Sequence, residues 1–180
     1  MEAGAMRIQT TEGIRVIVKD TGKYGRGVFA AEPIFKGTLI HVHSGERMSS
    51  DRCYDLIRCG LVRNDDPLQI SSHEFYVLHD FSNCFNHSCD PNAGLREESS
   101  LFALHDIPLG EEIRYDYSTY VPTNLPVEWT MSCACGSGNC RHLIGHVLTL
   151  SIDRIALYLE SGAFQTYMLS ELRRVGKIDR

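Results

Sequence analysis

Residues 86–93 read Asn-His-Ser-Cys-Asp-Pro-Asn-Ala and bring two amides, an imidazole, a thiol and an Asp-Pro turn signal into eight positions. The stretch has neither helical nor strand periodicity, so we expect a tight, hydrogen-bonded loop at a site. Simpler interpretations exist: a turn only, or a core histidine at His87. A nucleophile pair of Cys89 and His87 is disfavoured, because such pairs normally come from distant segments of a chain.

The composition is that of a soluble globular protein. The 180 residues fit one domain with room for a small appendage, and a hydrophobic fraction of 43% is enough for a core. The net charge of −5 argues against nucleic-acid binding through phosphate neutralisation, and it is compatible with a basic partner.

Neither a membrane span nor a secretory signal is expected. No run approaches the roughly 20 apolar residues that a transmembrane helix needs, and residues 1–6 lack both a basic segment and an apolar run. The chain has seven cysteines, an odd number, and three of them lie between residues 133 and 140. This usage predicts an intracellular, reducing location, in the nucleus or the cytoplasm.

Short β-branched and aromatic runs predict many strands and little helix before the C-terminal end. Helices are predicted from Asp51 to about Gly60, after Ser151 as the capping residue, and from about Ala163 to Arg174. The pattern alone therefore indicates a β-rich α+β domain with a helical tail. The strands are predicted over residues 14–19, 38–43, 75–78, 101–104 and 113–117.

Glycines at 25 and 27 flank Arg26 in a second motif. Glycine permits positive φ and lets the backbone approach a ligand closely. The run leads into a strand and lacks the G-x-G-x-x-G spacing, so a dinucleotide site is not indicated. On its own, the turn of a β-hairpin is the favoured interpretation.

The third motif is the cysteine cluster Cys133, Cys135 and Cys140. A structural zinc ion takes four Cys or His ligands, and this spacing supplies three of them on a glycine-rich loop. Free thiols in a loop are the alternative. The spacing does not identify the fourth ligand. Five residues are candidates: Cys89, His142, Cys53, Cys59 and Cys84.

A fourth motif is the run Gly110-Glu111-Glu112-Ile113-Arg114-Tyr115-Asp116-Tyr117. On a strand, Tyr115 and Tyr117 would point to the same face. They could be ordinary core residues, or they could line a narrow aromatic channel that accepts a long amine chain.

Together, and in their order along the chain, the four motifs resemble those of the SET-domain family of protein lysine methyltransferases. The match spans about residues 14–142. It implies short β-sheets around a knot-like crossing, in which the loop at Asn86 passes beneath the segment that carries the two tyrosines. It divides the chain into a SET domain (14–120), a post-SET zinc-binding segment (121–145) and a C-terminal helical extension (146–180).

The resemblance also implies two bound groups. S-adenosylmethionine would be held by Gly25, Arg26, Gly27, Asn86 and His87. One structural zinc ion would be held by Cys89, Cys133, Cys135 and Cys140.

Tyr117 matches the family's catalytic tyrosine, and the substrate would be a lysine-bearing protein or peptide, such as a histone. Tyr115 stands where the family has Phe or Tyr, and Tyr there favours mono-methylation. His43 and Tyr76 are assigned to the substrate channel.

Two departures from the family pattern raise a second hypothesis. His43 replaces a channel tyrosine, and the usual arginine before Asn86 is missing, because Asn83 stands there. These changes are compatible with a SET-like scaffold that binds without methylating, or with an enzyme acting on a small molecule. The sequence leaves the target lysine, the oligomeric state and the role of the C-terminal helices open.

Overall fold

The computed structural model describes residues 7–63, 66–125 and 129–179. The expectation of no secretory signal in residues 1–6 concerns residues outside these ranges. The predicted fold class is confirmed, because the described chain consists mostly of small antiparallel sheets with a few short helices. None of the helices in the described ranges is both long enough and apolar enough to cross a bilayer.

Three three-stranded antiparallel sheets make up most of the fold, with strand orders β1-β2-β3, β4-β10-β9 and β5-β7-β6. Their strands are β1 (Arg7–Thr11), β2 (Ile14–Asp20), β3 (Arg26–Ala30), β4 (Leu39–Val42), β5 (Gly45–Ser49), β6 (Pro67–Gln69), β7 (Glu74–Leu78), β9 (Ala93–Arg96) and β10 (Ser100–Ala103).

Two further sheets of two strands each carry the site. Strand β8 (Asn86–His87) pairs in parallel with β11 (Arg114–Tyr115), and β12 (Met131–Ser132) pairs antiparallel with β13 (Leu143–Ile144). The three helices are α1 (Ser50–Arg58), α2 (Ile152–Glu160) and α3 (Thr166–Arg174). Ser49 and Ser151 cap α1 and α2 by accepting a backbone N–H with their hydroxyl groups.

The structure corrects three predicted elements. The strand predicted over 113–117 ends at Tyr115, because the Asp116 carboxylate accepts the Ser118 N–H and caps a 3-10 turn, Tyr117–Thr119. The loop predicted over 86–93 contains the short strand β8. Helix α3 begins at Thr166 rather than Ala163, because the extended backbone of Gln165 bridges to Glu97.

Two hydrophobic clusters fill most of the interior. The first lies among the sheets and includes Val16, Ile40, Leu95, Leu101 and Ile113, each 0% exposed. The second packs α2 and α3 against β10 through Phe102. The connection between α2 and α3 lies close to β9 at Gly94, where an added Cβ would lie 2.7 Å from the Cβ of Ala163. The C-terminal helices are therefore packed directly onto the central sheet.

Candidate active site and metal centre

The crossing of two segments places the functional side chains. Strands β8 and β11 pair in register, with Asn86 opposite Arg114 and His87 opposite Tyr115. The Asn92 side chain fastens the same crossing. Its Nδ2 donates to Glu111 Oε1 and to the Glu112 carbonyl, both at 2.8 Å, and its Oδ1 accepts the Arg114 N–H at 2.8 Å. A buried amide with all these bonds made fixes one register between the segments.

A cavity of about 440 Å³ lies beside this crossing. Four of the five predicted cofactor-binding residues line it, namely Gly25, Arg26, Asn86 and His87. The lining mixes polar and apolar groups, as in small-molecule and cofactor sites. Other lining residues that sequence reasoning missed include Tyr24, Asn83, Cys84, Met131 and Ile144. Asn83 and Cys84 lie three and two residues before Asn86, so proximity to the motif was the available signal.

Gly27, the fifth predicted residue, packs behind this wall. A Cβ at Gly27 would lie 2.5 Å from Glu112 Oε1 and 3.1 Å from Asn86 Nδ2. Asn86 Nδ2 itself donates to the Arg26 carbonyl at 3.1 Å and to Glu112 Oε1 at 2.8 Å. The absence of a side chain at Gly27 therefore lets the glycine turn and the Asn86 loop close on each other.

An aromatic slot of about 20 Å³ lies next to the cavity, and its lining includes Phe85, Tyr115, Tyr117 and Tyr120. The ring centroids of Tyr115 and Tyr117 are 5.0 Å apart, and those of Tyr117 and Tyr120 are 5.7 Å apart. The Tyr117 hydroxyl donates to the Phe85 carbonyl at 2.8 Å. Asp66, Asn83 and Tyr117 line both the slot and the larger cavity, so the two spaces meet along these three residues, and Tyr117 places a phenol there.

Tyr120 is the third phenol of the slot and was missed by sequence reasoning. It lies beyond the predicted strand, in a segment without periodicity, and no pattern marks it. Burial raises the pKa of Tyr115 well above its usual value, so its hydroxyl stays protonated near neutral pH.

The two residues assigned to the substrate channel lie outside the lining of the slot. His43 is 1% exposed and packs beneath Tyr115, with ring centroids 5.8 Å apart. Neither ring nitrogen of His43 makes a well-formed hydrogen bond within the described residues, and the Ser82 backbone interacts with the ring only weakly. Tyr76 lies on β7, opposite Arg47 and Leu68, and is half-buried against the main core.

A cysteine cluster faces the crossing from the other side. The Sγ atoms of Cys89 and Cys133 are 3.8 Å apart, as are those of Cys133 and Cys140. Four sulfurs at about 2.3 Å from a tetrahedral zinc ion would be about 3.8 Å from one another. Cys135 completes the group, with its Sγ accepting the Cys89 N–H at 3.5 Å. The four thiols can therefore hold one tetrahedral metal ion.

Hydrogen bonds favour the thiolate at Cys135, whereas burial raises the pKa of Cys89 and of Cys133. Cys89 Sγ accepts the Arg141 N–H at 3.4 Å. Burial opposes ionisation at Cys135, but hydrogen bonds from Ser137 and from the Cys89 amide lower its pKa to about 6. The thiolate, not the thiol, is the form that binds metal.

His87 is a fifth donor close to this cluster. Its ligand atom and those of Cys89, Cys133 and Cys135 lie within 4.8 Å of one another. His87 Nδ1 accepts the Tyr117 N–H at 3.2 Å, so the proton of the neutral ring belongs on Nε2, which lies 3.2 Å from Cys89 Sγ. Burial lowers the pKa of His87 to about 4 and keeps the ring neutral. Beside Cys89, Cys133 and Cys135, the fourth ligand is therefore either His87 or Cys140, whose Sγ lies 3.8 Å from that of Cys133.

Asp116 lies where these parts converge and is 1% exposed. Arg141 donates to both of its carboxylate oxygens, at 2.6 and 2.7 Å, and the Tyr158 hydroxyl donates to Oδ2 at 2.9 Å. His87 Nδ1 is 3.6 Å from Oδ1. A buried carboxylate is stable only when it is paired and hydrogen-bonded in this way. Asp116 and Arg141 were not singled out from the sequence.

Because His43 is buried, we expect the free energy of unfolding to decrease at acid pH. Burial, with a smaller contribution from His41, lowers the pKa of His43 to about 3. The unfolded chain takes up this proton near pH 6.5 and the folded chain does not, so the free energy of unfolding falls as the pH drops below 6.5. The expected loss from His43 is about 2 kcal/mol between pH 6.5 and pH 5.

A His43→Phe variant removes the titrating ring and should therefore lose less stability over this interval. Denaturant unfolding at pH 7, 6 and 5 measures the free energy of unfolding of both proteins. Both carry the same cysteine cluster, so any loss of a bound metal ion at low pH affects them equally. Identical pH dependence in both proteins would show that His43 is not a buried neutral ring.

Comparisons with known proteins agree with this architecture. The SET domain family model matches residues 25–118. A variant-silencing SET domain-containing protein of Plasmodium falciparum is 29% identical over 143 residues, covering 68% of this chain and 5% of that protein. The histone-lysine N-methyltransferase trithorax of Drosophila virilis is 29% identical over 134 residues, covering 66% of this chain and 3% of that protein. The chain thus spans only a small part of these relatives.

Among solved structures, the methyltransferase domain of the human histone-lysine N-methyltransferase SETMAR matches with a TM-score of 0.57 at 22% identity. The match covers 77% of this chain and 61% of that domain, and it shows the same fold. Since the family model covers more than half of the 180 residues, the chain belongs to the SET domain family.

Proposed function

We propose that this chain transfers a methyl group from S-adenosylmethionine to a lysine side chain of a protein or peptide. The observation that carries the proposal is the meeting of two spaces at Tyr117, a cavity of about 440 Å³ and a narrow aromatic slot. A methyl donor in the first space and a lysine in the second would face each other across one phenol. Alignment of this kind can supply much of the rate enhancement of a displacement reaction.

The cavity is proposed as the cofactor site, with Gly25, Arg26, Asn86 and His87 in its wall and Gly27 packed behind them. When bound, S-adenosylmethionine supplies an activated methyl group on a sulfonium centre. The hydrogen bonds that Asn86 makes to the Arg26 carbonyl and to Glu112 support this assignment, because they hold the cavity wall rigid.

The slot is proposed as the lysine channel. A lysine must lose its proton before it can attack a methyl group, while its ordinary pKa is about 10.4. Aromatic walls that exclude water lower the pKa of an amine. Tyr115, Tyr117 and Tyr120 supply such walls. The Tyr117 hydroxyl lies where the two spaces meet, and we assign it to orienting the amine.

Zinc is proposed as a structural ion held by Cys89, Cys133, Cys135 and Cys140. Support comes from the two Sγ–Sγ distances of 3.8 Å and from the N–H groups that point at the sulfurs. Such an ion would tie the post-SET loop, which also lines the cavity, to the Asn86 loop. No zinc participates in the transfer itself.

Mono-methylation is the proposed outcome, and Tyr115 is its basis. The ring is 3% exposed and packs within 5.0 Å of Tyr117, measured between ring centroids, so its hydroxyl restricts the space left for added methyl groups.

The relative from Drosophila virilis is named a histone-lysine methyltransferase, which supports a histone as substrate. The seven free cysteines support action in a reducing compartment, the nucleus or the cytoplasm.

One observation favours a second candidate function. His43 is buried in place of the family's channel tyrosine, with no well-formed hydrogen bond at either ring nitrogen among the described residues, and Asn83 lines the cavity where the family has arginine. A scaffold that binds S-adenosylmethionine and acts on a small molecule, or not at all, would fit these changes. Cofactor binding by calorimetry without methyl transfer to protein would support this candidate.

Tyr117→Phe should lower kcat by at least a hundredfold, because the hydroxyl that orients the amine is lost. Transfer of a radiolabelled methyl group to core histones and to lysate protein measures the rate, and calorimetry should show cofactor affinity within about threefold of wild type. Tyr54→Phe, the same change on α1 where the ring packs against Phe75, should retain full activity. Equal rates for Tyr117→Phe and wild type would contradict the assignment.

Tyr115→Phe should shift the products from mono- to di- or tri-methyl lysine, because removing the hydroxyl opens space beside the amine. Mass spectrometry of a methylated peptide measures the distribution at matched turnover. An unchanged product distribution would remove Tyr115 as the determinant.

Cys133→Ser should abolish zinc binding, since its sulfur is the shared neighbour of Cys89 and Cys140. Elemental analysis should give one zinc per wild-type chain and less than about 0.2 in the variant. Cys59→Ser changes an exposed cysteine and should retain the zinc. His87→Gln should also retain it if His87 is a donor to Cys89 rather than a ligand. Full zinc in Cys133→Ser would exclude the proposed site.

A further inference from the structure

The C-terminal helices bind one short segment of the site at three points. Tyr158 on α2 donates to Asp116 Oδ2 at 2.9 Å. Tyr167 on α3 donates its hydroxyl to the Tyr120 carbonyl. Glu171 on α3 accepts the Thr123 N–H at 3.0 Å. All three partners belong to residues 116–123, which we call the tyrosine segment because it carries Tyr117 and Tyr120.

The Tyr158 contact is buried and the other two are partly buried, and all three are polar and therefore directional. Tyr158 is 1% exposed, and Glu171 is 7% exposed. Burial and the neighbouring Asp116 carboxylate raise the pKa of Tyr158, so its hydroxyl remains a donor. Hydrogen bonds from Arg174, with additional ones from Thr123, lower the pKa of Glu171 to about 2, so it remains a charged acceptor. Hydrophobic packing of α2 and α3 on the sheet requires none of these three bonds.

Asp116 connects Tyr158 to the phenol at the meeting point of the two spaces. It directly precedes Tyr117 and caps the 3-10 turn that begins there. From the other side, His87 Nδ1 accepts the Tyr117 N–H at 3.2 Å, and the Phe85 carbonyl accepts its hydroxyl at 2.8 Å. Tyr117 therefore lies between two anchors, the Asn86 loop and the Asp116 carboxylate.

We propose that the C-terminal helices belong to the catalytic apparatus, and that Tyr158 is a positioning residue that sets the orientation of Tyr117 through Asp116. The helices do more than cover the core, because they hold the segment that forms one wall of the slot. The kinetic consequence rests on the proposed methyl transfer, whereas the ordering of the tyrosine segment does not depend on it.

Tyr158→Phe tests the proposal, because it keeps the ring in the core and removes the bond to Asp116. We expect kcat to fall by about tenfold, with KM for a peptide substrate and the Kd for S-adenosylmethionine within twofold of wild type. Hydrogen–deuterium exchange of the amides in residues 116–123 should accelerate by at least fivefold.

Ser161→Ala is the matched control on the same helix. Its hydroxyl donates to the Leu157 and Tyr158 carbonyls and makes no hydrogen bond to the tyrosine segment within the described residues. This variant should retain wild-type kcat and wild-type exchange in residues 116–123, even if the melting temperature falls. Tyr167→Phe, which removes the bond to the Tyr120 carbonyl, is the second variant if Tyr158→Phe does not fold.

The outcomes separate the two proposals. If wild-type protein transfers no methyl group, the proposed function fails, and the exchange measurement still decides whether the helices order the segment. Unchanged exchange and kcat in Tyr158→Phe would overturn the inference. Faster exchange at unchanged kcat in an active protein would overturn the positioning role. An equal loss of kcat in Ser161→Ala would show that the loss in Tyr158→Phe comes from general destabilisation and not from the missing bond to Asp116.

Discussion

The carboxylate of Asp116 is the interaction on which the arrangement of the site depends. It is almost completely buried, and a buried charge is tolerated only where partners replace water. Those partners come from three parts of the chain: Arg141 from the cysteine-rich loop, Tyr158 from α2, and the Ser118 amide from its own turn. Satisfying this one charge therefore requires the loop, the helices and the tyrosine segment to meet in a fixed geometry.

The same geometry explains how a metal remote from the chemistry could still control it. Cys89 lies in the loop that pairs with β11, and its sulfur accepts the Arg141 N–H, while the Arg141 side chain binds Asp116. A zinc ion on Cys89 would thus hold the cavity wall and the Asp116 partner together. Asn92 fastens the opposite end of the loop to the Glu112 carbonyl and the Arg114 amide. The cavity, the tyrosines and the cysteine cluster are in this sense one structural unit.

The sequence predicts those parts of the site that are marked by unusual residue types at close spacing. The glycine turn, the Asn86–Asn92 loop and the cysteine cluster carry residue types with few other uses, and they are brought together as the resemblance implies. The prediction fails where tertiary contacts decide. Tyr117 leaves its predicted strand because a side-chain cap competes with the ladder, and Gln165 is extended because it bridges to Glu97. Asp116 was not singled out, because its side-chain partners Arg141 and Tyr158 lie more than 20 residues away in the sequence.

A crystal structure with S-adenosylhomocysteine, with diffraction recorded at the zinc absorption edge, tests the central claim that these parts form one site. We expect a single anomalous peak about 2.3 Å from the Sγ atoms of Cys89, Cys133, Cys135 and Cys140. We also expect ligand density in the cavity lined by Asn86. A peak without Cys89 among its ligands, or ligand density away from this cavity, would contradict this claim.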